Sequence, residues 1–345
     1  MMPFEGLLAA YDFRFPESAI AQEPASPRDA ARLLIYDRAT KKASFDVFSR
    51  IGDHLPKGAV LVMNDTKVLP ARLWVRKPTG GKAAIIYLDQ ARGLMKVMAD
   101  RKLNPGSVLR LTPKLSFRVV RQEEKFYYLR PSFPMSRLFA VLERYGHTPI
   151  PPYIKHSPLD EAKLREKYQT VFARVRGSVA APTASLHFTK RLLRTLKKRG
   201  IRIAFVTLHV NIGTFAPLTE DQARSGKLHE EWYVIDRKTI AELEKAKKSG
   251  CPVIAVGTTA VRTLESAADA SGKLKRLTGT TDLFIREGYR FRFVDGLITN
   301  FHVPKSSLLM LVAALTGRAK LLELYRKAIR KGFKLFSFGD GMLVR

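Results

Sequence analysis

Two stretches hold the residues best able to do chemistry. GSVAAPTASLHFT, Gly177 to Thr189, runs into a basic helix and then into IAFVTLHVNIGTF, Ile203 to Phe215. His187 and His209 titrate near neutrality, which suits general acid or base work. Ala180, Ala181, Pro182, Thr183 and Ser185 are small and leave room for a bulky ligand against backbone. His147, His229 and His302 also fall among Gly, Pro, Thr and Asn at predicted strand ends and loops, whereas His54 and His156 read as structural. A nucleophilic triad has little support, because no GxSxG elbow frames Ser185 beside His187. No pair of histidines has the tight spacing of HExxH, so no metal is expected.

A second constellation is CPVIAVGTTAVRTLESA, Cys251 to Ala267, where an apolar strand enters Gly257 and a helix begins at Thr258 and Thr259. Free N–H groups at such a helix start can face an anion, and the Arg262 guanidinium could grip a carboxylate or phosphate in bidentate fashion. Plain helix capping is the alternative. Acidic partners are available in Asp65, Glu231, Glu265, Asp282, Asp295 and Asp340, any of which could instead be a cap. The triplet Asn64, Asp65, Thr66 after an apolar run is either a turn bonding its own backbone or part of a site.

The charge balance points to a partner. Sixty-one Lys and Arg against 31 Asp and Glu give a net charge of +30 over 345 residues. Self-repulsion of that size favours an anionic partner, nucleic acid first, although scattered basic residues also fit a general surface preference. Lys190, Arg191, Arg194 and Lys197 cluster on one basic helix suited to phosphates. Among the aromatics beside polar motifs, Tyr153, Phe188, Phe215, Trp232, Tyr233, Phe284, Phe301 and Phe338, two or three would be free to stack on a base. No stretch reaches the roughly 20 apolar residues of a membrane span. The single cysteine, Cys251, excludes an internal disulfide framework, and with no signal peptide recognised a cytoplasmic location is expected.

The elements that must position these residues are of two kinds. From Arg72 to about Tyr145, six short strand-like runs (RLWV, AAIIYL, LMKVMA, VLRL, FRVV, FYYLRP) alternate with turn signals, as in a small barrel or sandwich. After residue 160, helices and strands alternate as in an α/β sheet, ending in a predicted strand over Phe333 to Phe338. The expected fold is therefore α/β: a mixed sheet domain, residues 1–58 and 147–345, interrupted by an inserted β-barrel domain, residues 59–146, that faces RNA.

The motifs AQEPASPRDAARLL, VMNDTKVLPARL, GHTPIPPYI, GSVAAPTASLHFT, VTLHVNIGTFAPL, HEEWY, VIAVGTTAVRTLES, LITNFHVPKSSLLMLV and FSFGDGMLV resemble, in unbroken order from about Tyr11 to the C-terminus, the S-adenosylmethionine:tRNA ribosyltransferase-isomerase family of queuosine biosynthesis. The chain departs from the family pattern at NIGTF, Asn211 to Phe215, at HEEW, His229 to Trp232, at SLHFT, Ser185 to Thr189, and at GDGML. None of these departures removes an ionisable group. The resemblance implies transfer and isomerisation of the ribosyl group of S-adenosylmethionine onto 7-aminomethyl-7-deazaguanine at the wobble position of a tRNA, with adenine and methionine released. It also implies the α/β domain with an inserted barrel. On that reading His187 and His209 move protons, with Asp282 and Asp295 as alternatives. Thr258, Thr259 and Arg262 take the methionine carboxylate, and Glu231 or Asp340 faces the ammonium or sulfonium. Phe188, Phe215 and Asn300 receive the flipped base, and basic residues such as Arg72 extend the RNA surface. A monomer is expected. Rival readings are an RNA-binding protein without catalysis and a methyltransferase, the latter lacking a Gly-rich loop after the first strand.

Overall fold

The computed structural model describes residues 3–210, 217–275 and 277–345. Its framework is a nine-stranded mixed sheet built from β1 (Arg32–Tyr36), β2 (Ala43–Val47), β3 (Val60–Asn64), β12 (Arg202–Leu208), β13 (Lys227–Val234), β14 (Val253–Val256), β15 (Thr278–Leu283), β16 (Gly296–Asn300) and β17 (Gly341–Val344). The strand order is β15-β13-β12-β3-β14-β16-β17-β1-β2. The adjacent strands β12, β3, β14 and β16 are all parallel, and β17 runs back against β16.

Apolar residues on both faces explain why the central strands are continuous hydrophobic runs. Successive side chains point to opposite faces. Val60 and Val62 of β3 enter one core while Leu61 and Met63 enter the other, and β1 and β14 divide in the same way. The first core is covered by α7 (Thr258–Ala267), α8 (Ser307–Thr316) and α9 (Arg318–Arg330), among others. The second takes Leu192 and Leu196 from α4 (Lys190–Lys198).

The inserted unit is a closed barrel of β5 (Arg72–Arg76), β6 (Lys82–Ala91), β7 (Leu94–Ala99), β8 (Val108–Thr112), β9 (Leu115–Glu123) and β10 (Phe126–Pro131), in the order β10-β7-β6-β5-β8-β9. These are the six runs expected from the sequence. The barrel has its own core, which includes residues of α2 (Leu138–Tyr145). The two chain crossings into and out of it touch: Arg72 bridges His147, and a Cβ on Gly146 would lie 1.8 Å from the Pro70 carbonyl oxygen. Only glycine fits that approach.

Two sequence expectations need revising. An insertion beginning at residue 59 would include β3, yet β3 sits in the middle of the large sheet between β12 and β14, and the barrel strands begin at Arg72. The last strand is β17, not Phe333–Phe338. Asp340 holds that segment in a loop instead, accepting 2.7 Å hydrogen bonds from the Lys334 and Arg32 backbone N–H groups.

Candidate active site at the carboxyl edge of the sheet

In open α/β sheets ligands bind beyond the carboxyl ends of the strands. Here β3, β12, β14 and β16 end on one edge, in Asn64, Leu208, Val256 and Asn300. The segment 177–189 and the crossing segment around Tyr153 close over that edge. Together they enclose a cavity of about 120 Å³, lined by residues that include Tyr153, Thr183, Thr258, Thr259, Asn300 and His302.

The helix start of α7 forms one wall. Gly257 is its N-cap, with φ +88°, and supplies no side-chain cap to the first-turn N–H groups. Such groups carry the partial positive charge of the helix terminus. Thr259 is buried at the same wall, and its hydroxyl has no hydrogen-bond partner among the described residues. Thr258 and Thr259 thus stand where an anion cradle was expected. Arg262 does not join them: its guanidinium turns away to the Glu231 carboxylate and to the carbonyls of Thr281 and Leu283, with Arg262 and Glu231 both buried. Glu231 therefore lies with Arg262, outside the cavity lining.

Asn300 forms the opposite wall and is held at both ends of its amide. Thr183 Oγ1 donates to its Oδ1 at 2.9 Å, and its Nδ2 lies 3.2 Å from His187 Nε2. His187 is buried behind Asn300, with its ring 4.6 Å from that of Phe48, and it does not line the cavity. Burial pushes its pKa down to about 4, opposed by a backbone hydrogen bond to Arg28, so the ring is neutral at neutral pH. Phe188 is fully buried edge-on to Phe48, leaving no face for a base. His302 lines the cavity, with Nε2 2.8 Å from Thr299 Oγ1 and a pKa pushed by burial to about 4.

The second half of the edge centres on His209. The triplet Asn64, Asp65, Thr66 bonds its own backbone, Asn64 Oδ1 accepting from the Thr66 N–H at 3.1 Å, and it also grips the neighbouring strand. Asn64 pairs with both the N–H and the carbonyl of Leu208. Asp65 accepts from Thr207 at 2.6 Å and from Arg174 at 2.7 Å. Thr66 Oγ1 lies 2.8 Å from His209 Nδ1. The other side of the imidazole stacks on Trp232, with centroids 5.1 Å apart and 27° between planes. Trp232 remains 41% exposed. Burial lowers the His209 pKa, with the Asp65 charge opposing the shift.

The remaining expected residues lie elsewhere. Asp282 pairs with Lys227 at the outermost strand of the sheet. Asp295 pairs with Lys247 and caps the first residue of β14, at the amino end of the strands. The five residues of β16 separate it from the cavity by roughly 16 Å at ~3.3 Å per residue. Asp340 is buried with both oxygens on backbone N–H groups, and burial raises its pKa. Arg72 donates to the Ile150 carbonyl at 3.0 Å. On α4, Lys190, Arg194 and Lys197 face solvent, while Arg191 pairs with the buried Asp29. Phe215 and Asn211 lie outside the described residues. Among the described residues no group of three or more His, Cys, Asp and Glu side chains is placed to hold a metal, and no helix is long and apolar enough to cross a membrane.

Thr183, Thr66 and Tyr153 gain their importance only in three dimensions. Thr66 was visible as the end of a polar triplet, but its partner is 143 residues away.

A mixed sheet with a cavity at its carboxyl edge and an inserted closed barrel defines an α/β protein with a second, β-barrel unit. The chain belongs to the queuosine biosynthesis protein family: the family profile described as "Queuosine biosynthesis protein" matches residues 8–344. It is 45% identical over 343 residues to the S-adenosylmethionine:tRNA ribosyltransferase-isomerase of Syntrophotalea carbinolica, covering 98% of this chain and 99% of that one. The protein of the same name from Aquifex aeolicus is 40% identical over 338 residues, covering 97% and 98%. The crystal structure of S-adenosylmethionine tRNA ribosyltransferase from Thermotoga maritima is similar at a TM-score of 0.57 and 34% identity, over 97% of this chain and all of that one.

Proposed function

We propose that the protein transfers and isomerises the ribosyl group of S-adenosylmethionine onto 7-aminomethyl-7-deazaguanine at the wobble position of a tRNA, giving epoxyqueuosine, adenine and methionine. The observation that carries this reading is the juxtaposition, on one sheet edge, of an uncapped helix start and an oriented neutral histidine. The start of α7, with Thr258, Thr259 and the unpartnered Thr259 hydroxyl, takes the carboxylate of the co-substrate.

The sulfonium acidifies the C5′ hydrogens of the ribose, and a neutral imidazole is the form that accepts such a proton. His209 fills this role: it is oriented by Thr66, uncharged at neutral pH and beside the exposed Trp232. Trp232 offers a face on which an RNA base stacks. Asn300 shapes the cavity wall with its amide fixed by Thr183 and His187, and His187 is a positioning residue that holds Asn300 from behind. His302, at the cavity wall, is a second proton-transfer group for adenine departure. Arg262, Glu231 and Asp340 act as structural ions in this scheme, each committed to protein partners.

Product identification tests the reaction. Incubation with S-adenosylmethionine and tRNA bearing the precursor base is expected to release free adenine and methionine, detected by mass spectrometry. Appearance of S-adenosylhomocysteine instead would mark a methyltransferase, and unchanged S-adenosylmethionine with salt-sensitive RNA binding would mark a binding protein.

A further inference from the structure

A second cavity, of about 290 Å³, adjoins the two-stranded ribbon formed by β4 (Thr66–Val68) and β11 (Val175–Ser178). Its lining includes Lys67, Arg165, Arg176, Glu143, Tyr168 and Gln169. Lys67 and Arg176 are register partners on the parallel strands. Two cations side by side on neighbouring strands repel each other, a cost that an anion between them would reverse. Neither has a carboxylate partner among the described residues, in contrast to Arg165, which is on Glu161 at 2.9 Å, and Arg174, which is on Asp65.

The rest of the wall is polar and mostly committed. The Gln169 amide is bonded at both ends to the Val68 backbone. The Tyr168 residue is buried, and its hydroxyl lies against the Ala181 N–H without a hydrogen bond of normal geometry. The cavity thus presents two cations that have no carboxylate partner among the described residues.

Its place in the fold matters as much as its charge. Successive strand residues face opposite ways. Thr66 reaches His209 from one face of the ribbon, while Lys67, the next residue, faces the other. Gly177, following Arg176, abuts the His209 ring itself.

We propose that Lys67 and Arg176 form a clamp for one backbone phosphate of the RNA, fixing the chain where it passes the His209 edge. This rests on the reading that the substrate is RNA. The shared chemistry is a phosphate oxyanion, and a free phosphate is the other source the test must separate.

The test is equilibrium binding of tRNA across a salt series to the wild type and to the variants Lys67→Ala, Arg176→Ala, Lys67→Arg and Lys238→Ala, with folding checked by thermal denaturation. Each released phosphate contact lowers the slope of log affinity against log salt by roughly 0.7–0.9. Lys67→Ala and Arg176→Ala are expected to show that drop, whereas Lys67→Arg and the exposed control Lys238→Ala keep the wild-type slope. Wild-type slopes in both alanine variants would overturn the clamp. So would equal drops in Lys238→Ala, which would make the effect one of total charge. Calorimetry with inorganic phosphate covers the other source: binding that vanishes in Lys67→Ala while the RNA slope stays unchanged would overturn the RNA assignment. The reaction is scored separately by adenine release from the wild type. If adenine is absent and the slope drops persist, the clamp stands and the ribosyl-transfer reading falls.

Discussion

Thr66 Oγ1 stands 2.8 Å from Nδ1 of His209 and orients the ring so that Nε2 is the nitrogen outside this contact. The Thr66 main chain is fixed in turn by the Asn64 side chain, which accepts from the Thr66 N–H at 3.1 Å. Thr66→Val keeps the β-branched shape of the strand residue and removes only the hydroxyl. It is expected to lower kcat about tenfold, or ~1.4 kcal/mol, with S-adenosylmethionine affinity unchanged. Steady-state kinetics and calorimetry together check this; an unaltered kcat would free His209 of any need for orientation.

Gly177 sits against the same ring. Its φ is +150°, and a Cβ there would lie 2.5 Å from His209 Nε2. Gly177→Ala must therefore move the imidazole. Displacement of a reacting group by about 1 Å costs on the order of 100-fold in rate. The expected outcome is a loss of that size in adenine release, with tRNA affinity within twofold of wild type. Retention of full activity would place the proton transfer elsewhere, with His302 the next group to replace.

The Arg262–Glu231 pair separates a structural from a ligand-binding role. Breaking a buried ion pair by removing one partner costs about 3–5 kcal/mol. Arg262→Met is accordingly expected to lower the thermal midpoint by several degrees. A guanidinium that gripped the methionine carboxylate would give the reverse pattern, a weakened S-adenosylmethionine affinity at unchanged stability. Differential scanning calorimetry beside ligand titration distinguishes them.

The barrel was legible because its six strands are short, apolar and bounded by turns such as Thr79-Gly80-Gly81, all local signals. The alternating elements after residue 160 were legible for the same reason. What stayed hidden depends on partners distant in sequence. Arg262 looks like an anion ligand at a helix start until Glu231 arrives from a strand 31 residues upstream. Phe188, in a segment of small residues, looks available until Phe48 packs edge-on against it. The run from Phe333 to Phe338 has the alternation of a strand, but Asp340 and the cramped Gly339, whose Cβ would lie 2.4 Å from the Leu335 carbonyl carbon, bend it into a loop. His187 and His209 stood out by residue type, but the difference between their surroundings follows from burial, which periodicity does not report.

That difference gives a pH signature. Burial holds His187 near a pKa of about 4 in the folded chain, against 6.5 for the free side chain. His302 is held near 4 by the same cause. In the window between these values the unfolded chain binds protons that the folded chain excludes. Stability contributed by the neutral rings is thus complete above about pH 6.5 and is lost as pH falls towards 4. Thermal midpoints measured across this window are expected to decline steeply in the wild type. His187→Gln keeps a hydrogen-bond acceptor for the Asn300 amide without a titrating group, so its decline should be shallower, with the remaining slope carried by His302 and His209. If the variant and the wild type lose stability in parallel over the whole window, His187 is not the excluded proton site. The same variant at pH 7.5 should retain measurable adenine release, because a residue that only positions Asn300 can be replaced by another acceptor, whereas His209→Gln should abolish it.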